Sequence, residues 1–574
     1  MSVKKLFRLL MVTSSIFTFL ANINCGISLA EREKTGLNFK KYEFWVEKCR
    51  LLKNNQQYSE ALSACEQAIS LKPKKDNIQL WLTRGDALLE LNQYNEAAIS
   101  YNWVLQIDKK NVPALIQKCS ALLGLGKYED ALTSCDLALE RRDNWQNIKQ
   151  VKNYWGNLTL AKALYVKGSV FRKQKEYKKA ISSFDDALKQ DDNFALAYAG
   201  KCGVLVDNKE YQNADEFCEK AVEKFEDSQS MNQQSNPNTY RNANYAIIWF
   251  ERGRVKQKLK EQQEALNNFN VAIQVNPKYS QALARKSEIL NKMGRYQEAL
   301  DECDRALKGD KQWRDRKGLA YVWYQRSAAL LGLQKYEEAL ASSEKAIAIR
   351  PKYAEAWNNK AVSLWKLGQY EAAERAIKTA VMNYSGSVYA QGYANRGRIL
   401  SSLQRYREAL LAYELVSKNI KSLESRTVHR FWLNKAVTEM RLDDYQAARK
   451  SINWSISKGG SFAAFYNKAI ILSKLGMNKE AIEAFEQANI FNPDNYLVLT
   501  GKAIALMKLG NSDKYKDALQ ELDKVLVINP SYQLAISKRK ELITKMQNEV
   551  TSSIDKYTKL MNALEKNSIL KDTK

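Results

Sequence analysis

Cysteine residues of this sequence recur in pairs with one fixed spacing. Three pairs stand sixteen positions apart: Cys49 and Cys65, Cys119 and Cys135, Cys202 and Cys218. In an oxidising compartment such pairs can form disulfides, each closing a loop of about 16 residues and contributing roughly 3 kcal/mol to stability. Cysteine also packs as a small apolar residue, so duplication of a core position is the alternative. Cys303 has Ser287 where a partner would stand, and we expect it to be a free thiol.

Other chemistry has little support in the sequence. The cysteines lack the close Cys-x-x-Cys spacing of zinc sites, and His429 is the only histidine. We find no phosphate-binding glycine loop, nucleophile elbow or Ser-His-Asp arrangement. Acidic residues are plentiful, but they fall at helix positions expected to face solvent. We therefore expect no metal, no cofactor and no enzymatic activity.

Asparagine precedes a basic residue at four equivalent positions, Asn359, Asn395, Asn434 and Asn467. A side-chain amide carries two donors and one acceptor, which matches the peptide group of an extended chain. One interpretation is a ladder that binds a peptide backbone, and the other is that asparagine is simply frequent at this position. Helical phase places on the same surface side chains that could stack or pair with carboxylates: Tyr324, Trp365, Arg398, Arg430, Arg441 and Tyr466.

These residues belong to a pattern repeated about thirteen times, mostly at intervals close to 34 residues. The copies open at Trp45, Trp81, Leu115, Leu164, Tyr198, Trp249, Leu283, Trp323, Trp357, Tyr393, Trp432, Phe465 and Leu499. Spacings of three, four and seven place the apolar residues of each copy on one face of two short helices. Gly, Asn or Gln marks the turn between them. The predicted unit is a helical hairpin.

Alanine stands sixteen positions after the opening residue in the first twelve copies. These alanines are Ala61, Ala97, Ala131, Ala180, Ala214, Ala265, Ala299, Ala339, Ala373, Ala409, Ala448 and Ala481. Only a small side chain lets two helices cross closely, so the column is predicted to be core.

Lys or Arg stands three positions after the opening residue in all thirteen copies, for example Lys48, Arg84, Lys360 and Lys502. Nine copies also carry Asp or Glu at a fixed position of the second helix, including Glu66, Asp136 and Glu344. One explanation is ion pairing between the two columns, with the lysine stems covering the apolar seam. The other is a cationic ladder for an acidic ligand.

The repeat resembles the tetratricopeptide-repeat family, whose 34-residue helix-turn-helix units carry this pattern and often end in proline. Pro73, Pro277, Pro351 and Pro493 occupy that last position. The resemblance implies an all-α, right-handed superhelical solenoid of about 13 hairpins. It also implies a non-catalytic scaffold that binds extended peptides or partner proteins in a concave groove. An asparagine ladder holds the target backbone in the similar repeat domain of O-linked N-acetylglucosamine transferase.

The repeats define the predicted domain boundaries. The solenoid takes up residues 31–530, with inserts near 140–158 and 226–243 that lengthen two connections. The polar stretch from Gln229 to Asn238 is predicted to be a flexible loop. Residues 531–574 are predicted to form a capping helix and tail, in which Leu534, Ile536, Leu542, Ile543 and Met546 mark a packed side.

Residues 1–30 are typical of a secretory signal peptide. Lys4, Lys5 and Arg8 precede an apolar run from Leu9 to Ala21, and a small-x-small sequence ends at Ala30. The run is short of the roughly 20 residues that span a bilayer, which favours a cleaved signal peptide. An uncleaved membrane anchor is the alternative. We expect export to a periplasmic, envelope or extracellular location.

The chain is basic, with a net charge of +26 over 574 residues. Loss of residues 1–30 leaves 87 basic and 64 acidic residues, a charge of +23. Charge of this sign favours anionic partners, so binding to an anionic polymer or a membrane surface is the alternative to peptide binding. Export disfavours nucleic acid as a partner, and the sequence leaves the oligomeric state open.

Overall fold

The computed structural model describes residues 41–71, 77–140, 159–232, 245–310, 313, 316–384, 386, 389–423 and 425–569. The predicted signal peptide, the first insert from 141 and residues 233–244 lie outside this part of the chain. The chain divides into two compact units, residues 1–282 (unit 1) and residues 283–574 (unit 2). The described residues form α-helices, one short 3₁₀ turn at Ile420–Ser422, and no strand. The predicted all-α class is confirmed.

Twelve helices of the described residues lie wholly in unit 1. They are α1 (Lys41–Asn54), α2 (Tyr58–Ser70), α3 (Ile78–Glu90), α4 (Tyr94–Ile107), α5 (Val112–Gly124), α6 (Tyr128–Leu139), α7 (Thr159–Gln174), α8 (Tyr177–Gln190), α9 (Ala195–Asp207), α10 (Tyr211–Asn232), α11 (Ala246–Lys258) and α12 (Gln262–Val275). The next helix, α13 (Ser280–Lys292), contains the boundary between the units. Because α10 continues to Asn232, the loop predicted from Gln229 is wrong for its first four residues.

The remaining helices lie in unit 2. They are α14 (Tyr296–Lys308), α15 (Arg316–Gly332), α16 (Tyr336–Ile349), α17 (Ala354–Lys366), α18 (Tyr370–Asn383), α19 (Ala390–Ser402), α20 (Tyr406–Ser417), α21 (Ser425–Arg441), α22 (Tyr445–Lys458), α23 (Phe462–Lys474), α24 (Asn478–Phe491), α25 (Tyr496–Leu509), α26 (Ser512–Ile528) and α27 (Gln533–Ile569). Each odd-numbered helix up to α25 opens a hairpin, and the helix that follows closes it.

A left-handed residue ends the first helix of every hairpin. Eleven positions after each opening residue φ is positive, at Gln56, Asn92, Gly126, Lys175, Lys209, Lys260, Gly294, Gln334, Gly368, Gln404, Asp443, Gly476 and Gly510. This conformation reverses the chain within three residues and is least costly for Gly and Asn. The predicted turn position is confirmed, and Lys and Asp occupy it as well.

The small residues of the repeat allow the close helix crossings that the sequence predicted. Every alanine of the sixteen-position column is fully buried. Four positions after the opening residue Trp81, a Cβ added to Gly85 would lie 2.5 Å from the ring of Tyr101, so only glycine fits beneath that ring. The second helix of each hairpin also packs on the first helix of the next within each unit, as α18 does on α19. Stacking of this kind supplies the core that one hairpin lacks.

The capping helix α27 packs over only part of its length. Ala535 and Leu542 are fully buried against α25 and α26, and Met546 is partly buried there. Leu534 and Ile536, which the sequence placed on the packed side, are 43% and 39% exposed. That part of the prediction is wrong, because a single stripe of the helix meets α26.

Candidate functional site

The first helices of neighbouring hairpins contact one another in each unit, as α17 does with α19. Their sides that face away from the second helices therefore form a continuous strip, which we term the inner surface. The structure places every predicted peptide-binding residue of the sequence on a first helix of unit 2. Tyr324 lies on α15, Trp365 on α17, Arg398 on α19 and Arg430 on α21.

Two asparagines of the predicted ladder are buried between first helices. Asn359 of α17 donates its amide hydrogen to the Ser327 Oγ of α15 at 2.8 Å. Asn395 of α19 donates to the Asn358 Oδ1 of α17, also at 2.8 Å. Both side chains are less than 8% exposed. In this structure the two amides connect successive hairpins, a role that the sequence pattern did not reveal.

The other two asparagines are half-buried. Asn467 donates its amide hydrogen to the Ala463 carbonyl of its own helix at 2.7 Å. The side chain of Asn434 makes no hydrogen bond to another described residue and is partly exposed. Engagement of a peptide by these four residues stays a prediction.

Trp365, Arg398 and Arg430 form a cationic and aromatic cluster on three consecutive first helices. The Arg398 guanidinium lies 4.3 Å from the Trp365 ring centroid, and the indole N–H donates to Ser402 Oγ at 2.8 Å. Arg398 also donates to Asn395 Oδ1 at 3.3 Å. Burial, and to a smaller extent the nearby Arg430 charge, lower the pKa of Arg398. No carboxylate within the described ranges forms an ion pair with either arginine.

Further aromatic side chains extend the inner surface towards α15. The rings of Tyr324 and Tyr353 lie 5.3 Å apart, and Tyr321 packs beside Tyr324 at 6.4 Å. Burial raises the pKa of Tyr353 and of Tyr321, so both remain neutral hydroxyl groups. The sequence pattern missed Tyr353 because it lies in the turn before α17. Arg441 and Arg430 are exposed on α21, and Tyr466 is half-buried on α23.

In unit 1, two arginines on first helices are neutralised by carboxylates of the same protein. Arg172 pairs with Asp207 at 2.8 Å and with Glu251 at 2.9 Å, and Arg254 pairs with the same two carboxylates at 2.7 and 2.5 Å. Burial opposes the charge of Arg172, but the two carboxylates outweigh it and raise the pKa. Gly203 leaves room for this network, since a Cβ there would lie 2.3 Å from Arg172 Nη1. These four side chains together carry no net charge.

Ion pairing accounts for most of the basic column. The basic residue of one hairpin reaches the acidic residue on the second helix of the preceding hairpin: Arg84–Glu66, Lys167–Asp136, Lys201–Asp185, Arg326–Asp304, Lys360–Glu344 and Lys502–Glu486, all at 2.6–3.1 Å. The interpretation that the basic and acidic columns form ion pairs with each other is thereby confirmed. These cations serve the stacking of hairpins and are not available as a ligand ladder.

The structure brings the cysteines of each predicted pair together across a hairpin. Cys49–Cys65, Cys119–Cys135 and Cys202–Cys218 form disulfides with Cα–Cα distances of 5.1, 5.5 and 5.3 Å. Cys303 is buried and free, and burial raises the pKa of its thiol to about 12. Oxidation of the three pairs in the protein's own compartment stays a prediction.

Two structural features are absent from the described residues. No helix among them is both long and apolar enough to cross a membrane. No group of three or more His, Cys, Asp or Glu side chains in these ranges is arranged to hold a metal ion.

Family models and known proteins agree with this architecture. Models of the tetratricopeptide repeat match residues 42–75, 78–111, 161–194, 279–352, 330–395 and 462–495. A tetratricopeptide repeat-containing protein of Methanocaldococcus jannaschii is 24% identical over 81% of this chain and 78% of its own. The Hsp70-Hsp90 organizing protein of Triticum aestivum is 26% identical over 39% of this chain. The match spans about two fifths of that relative's length.

The comparison with solved structures found the Cut9-Hcn1 hetero-tetramer of APC/C and YrrB, a tetratricopeptide-repeat protein with an unusual peptide-binding site. The first has a TM-score of 0.42 at 14% identity, covering 89% of this chain and 98% of its own. The second has a TM-score of 0.31 at 21% identity, covering 34% and 97%. Stacked hairpins with first helices along one surface define an α-helical repeat protein. The matches to the repeat models show that the chain belongs to the tetratricopeptide-repeat family.

Proposed function

We propose that the protein is a non-catalytic scaffold that binds an extended acidic segment of a partner protein along the inner surface of unit 2. The observation that carries this proposal is the Arg398 guanidinium, which is stacked on Trp365 and lies beside Arg430 without a carboxylate partner among the described residues. A carboxylate of the bound segment would supply the missing negative charge. The wheat relative is named for organising two other proteins, which supports a scaffold role.

The cluster would recognise both charge and shape. A hydrogen bond between an arginine and a carboxylate contributes about 1.5–3 kcal/mol, and partial burial of Arg398 reduces screening by solvent. Asn434 can hydrogen bond to a peptide group of the segment. Asn359 and Asn395 could do so only by exchanging their bonds to Ser327 and Asn358. We therefore assign recognition first to Arg398, Arg430 and Trp365.

The test compares peptides that differ only in charge. Fluorescein-labelled peptides of about ten residues, long enough to span roughly 33 Å when extended, would be acidic, neutral or basic. Fluorescence anisotropy at near-physiological salt should show binding of the acidic peptide alone. Arg398→Ala should weaken this binding by about tenfold or more, as expected for loss of a charged hydrogen bond. Arg407→Ala, which removes an exposed arginine from α20, is the matched control and should change little.

Two outcomes would reject the proposal. Equal binding of acidic and neutral peptides would exclude recognition by the arginines. Equal weakening by Arg398→Ala and Arg407→Ala, together with a steep loss of binding on addition of salt, would favour the alternative of charge-driven attachment to an anionic polymer or membrane surface.

We also propose that the protein is exported. The signal-like residues 1–30 and the three disulfide pairs of unit 1 support this location. Protein isolated from its native cells should lack residues 1–30 by mass spectrometry and should leave all six paired cysteines unlabelled by a thiol reagent after denaturation. An intact N-terminus with six reactive thiols would contradict export.

A further inference from the structure

The distal half of α27 extends beyond the packed hairpins. The helix has 37 residues, so its length is about 55 Å. Every residue from Gln547 to Leu564 is exposed, whereas Leu542 and Met546 still pack on α26. Most helices in proteins are stabilised by packing of an apolar face rather than by helix propensity alone. A packing partner for this half would therefore stabilise it.

One face of the exposed half carries a row of large apolar side chains. Val550, Ile554, Tyr557, Met561 and Leu564 are spaced by four, three, four and three residues, and they are 45–68% exposed. We term these five residues the distal seam. Spacing that alternates between four and three follows the 3.5-residue period of a coiled coil, in which a helix packs against another helix.

The residues around the distal seam favour a copy of the same helix as that partner. The positions that flank a coiled-coil seam commonly carry the charges that select a partner. Here four of those positions are uncharged, being Thr551, Ser553, Thr558 and Leu560, and Glu565 is the exception. Asp555, Lys556 and Lys559 lie on the remaining faces of the helix. Two copies packed antiparallel would hold their Glu565 positions at opposite ends of the seam, whereas a parallel pair in register would place them side by side.

A cavity lies along the first part of the distal seam. It has a volume of about 480 Å³ and lies between Ser512, at the start of α26, and residues 546–558 of α27, which include Val550, Ile554 and Tyr557 of the seam. In an antiparallel pair centred between residues 555 and 556, Val550 lies opposite Met561, and Ile554 lies opposite Tyr557. Side chains of the second helix would then fill the cavity.

We propose that the protein forms a homodimer through the distal seams of two copies packed antiparallel. The dimer would place the inner surfaces of two chains in one assembly. A scaffold of this kind would hold two partner segments at once. The seam lies apart from the Trp365 and Arg398 cluster, so failure of the peptide-binding proposal would leave this one intact.

The test is the oligomeric state of the full chain, measured by analytical ultracentrifugation up to about 100 µM, where a dimer with micromolar affinity is fully formed. The wild-type protein should be a dimer. Ile554→Asp places a charge in the seam and should give a monomer. Ser552→Asp adds the same charge on the opposite face and should leave the dimer intact. Equal helicity by circular dichroism would confirm that both variants are folded.

A monomeric wild-type protein at this concentration, or an undiminished dimer in Ile554→Asp, would overturn the proposal. Cysteine cross-linking tests the direction of pairing. Val550→Cys combined with Met561→Cys should give disulfide-linked dimers on mild oxidation, whereas Val550→Cys alone should not. Efficient cross-linking of the single variant would show a parallel pair and overturn the antiparallel arrangement.

Discussion

Arg172 and Arg398 both lie on the inner surface of their units, but their surroundings give them different roles. Asp207 and Glu251 neutralise Arg172, and Arg254 completes a network with no net charge. Arg398 has an aromatic ring and a second arginine as neighbours. Helical phase predicted the surface on which Arg398 lies. It could not predict the counter-ions, because Asp207 and Glu251 are on other hairpins, far from Arg172 in sequence.

Glu288 makes the stability of unit 2 sensitive to acid. Burial would raise the pKa of this carboxyl, but Arg285 at 3.2 Å and Lys292 at 2.7 Å outweigh that effect and lower it to about 2. A carboxyl with a lowered pKa stabilises the folded state above its unfolded value of about 4.5, and this stability is lost as the pH falls towards 2. The full effect is about 3 kcal/mol.

We therefore expect wild-type unit 2 to lose about 1–2 kcal/mol more stability between pH 6 and pH 3.5 than the Glu288→Gln variant. Urea unfolding at the two pH values, monitored by circular dichroism, measures the difference. Glu337→Gln changes an exposed glutamate of the same unit and should behave like the wild type. Parallel pH profiles for wild type and Glu288→Gln would show that the ion pairs contribute no net stability.

At the scale of the helices, local sequence rules predicted the hairpin closely. Steric limits that act within one repeat explain the positive φ at Gly126, Gly294 and Gly368. Such limits also explain why Ala339 is fully buried. These limits depend on neighbouring residues in the chain, so one copy of the repeat contains the information. Contacts between hairpins depend on residues from different copies of the repeat, so one copy does not predict them. The bonds from Asn359 to Ser327 and from Asn395 to Asn358 join residues more than thirty positions apart.

The capping helix shows the same limit of sequence patterns. Apolar residues predicted one packed side for α27, and Leu542 confirms it near the start of the helix. Beyond Met546, however, no residue of α27 up to Leu564 is buried against α26, and an equally regular apolar row is exposed. A periodic stripe shows that a helix has an apolar face. It does not show whether that face meets the same chain or another molecule.

At the scale of the whole molecule, the three disulfides are confined to unit 1 within the described residues. Each one closes a hairpin, α1 with α2, α5 with α6 and α9 with α10. In a repeat array each hairpin contacts only its neighbours, so stability is approximately a sum of local contributions. Reduction should therefore weaken the hairpins that contain the disulfides and leave distant hairpins unchanged.

Hydrogen exchange with and without a reductant tests this expectation. Each disulfide contributes about 3 kcal/mol, so the best-protected amides of α5 and α9 should exchange on the order of 100-fold faster after reduction. Amides of α17 and α19 in unit 2 should keep their rates, because no cysteine lies near them. A variant with Cys119 and Cys135 both changed to alanine is the control, and its α5 amides should not respond to the reductant. Equal acceleration in both units would mean that the whole chain unfolds as one cooperative system, and the repeats would then not act as independent local units.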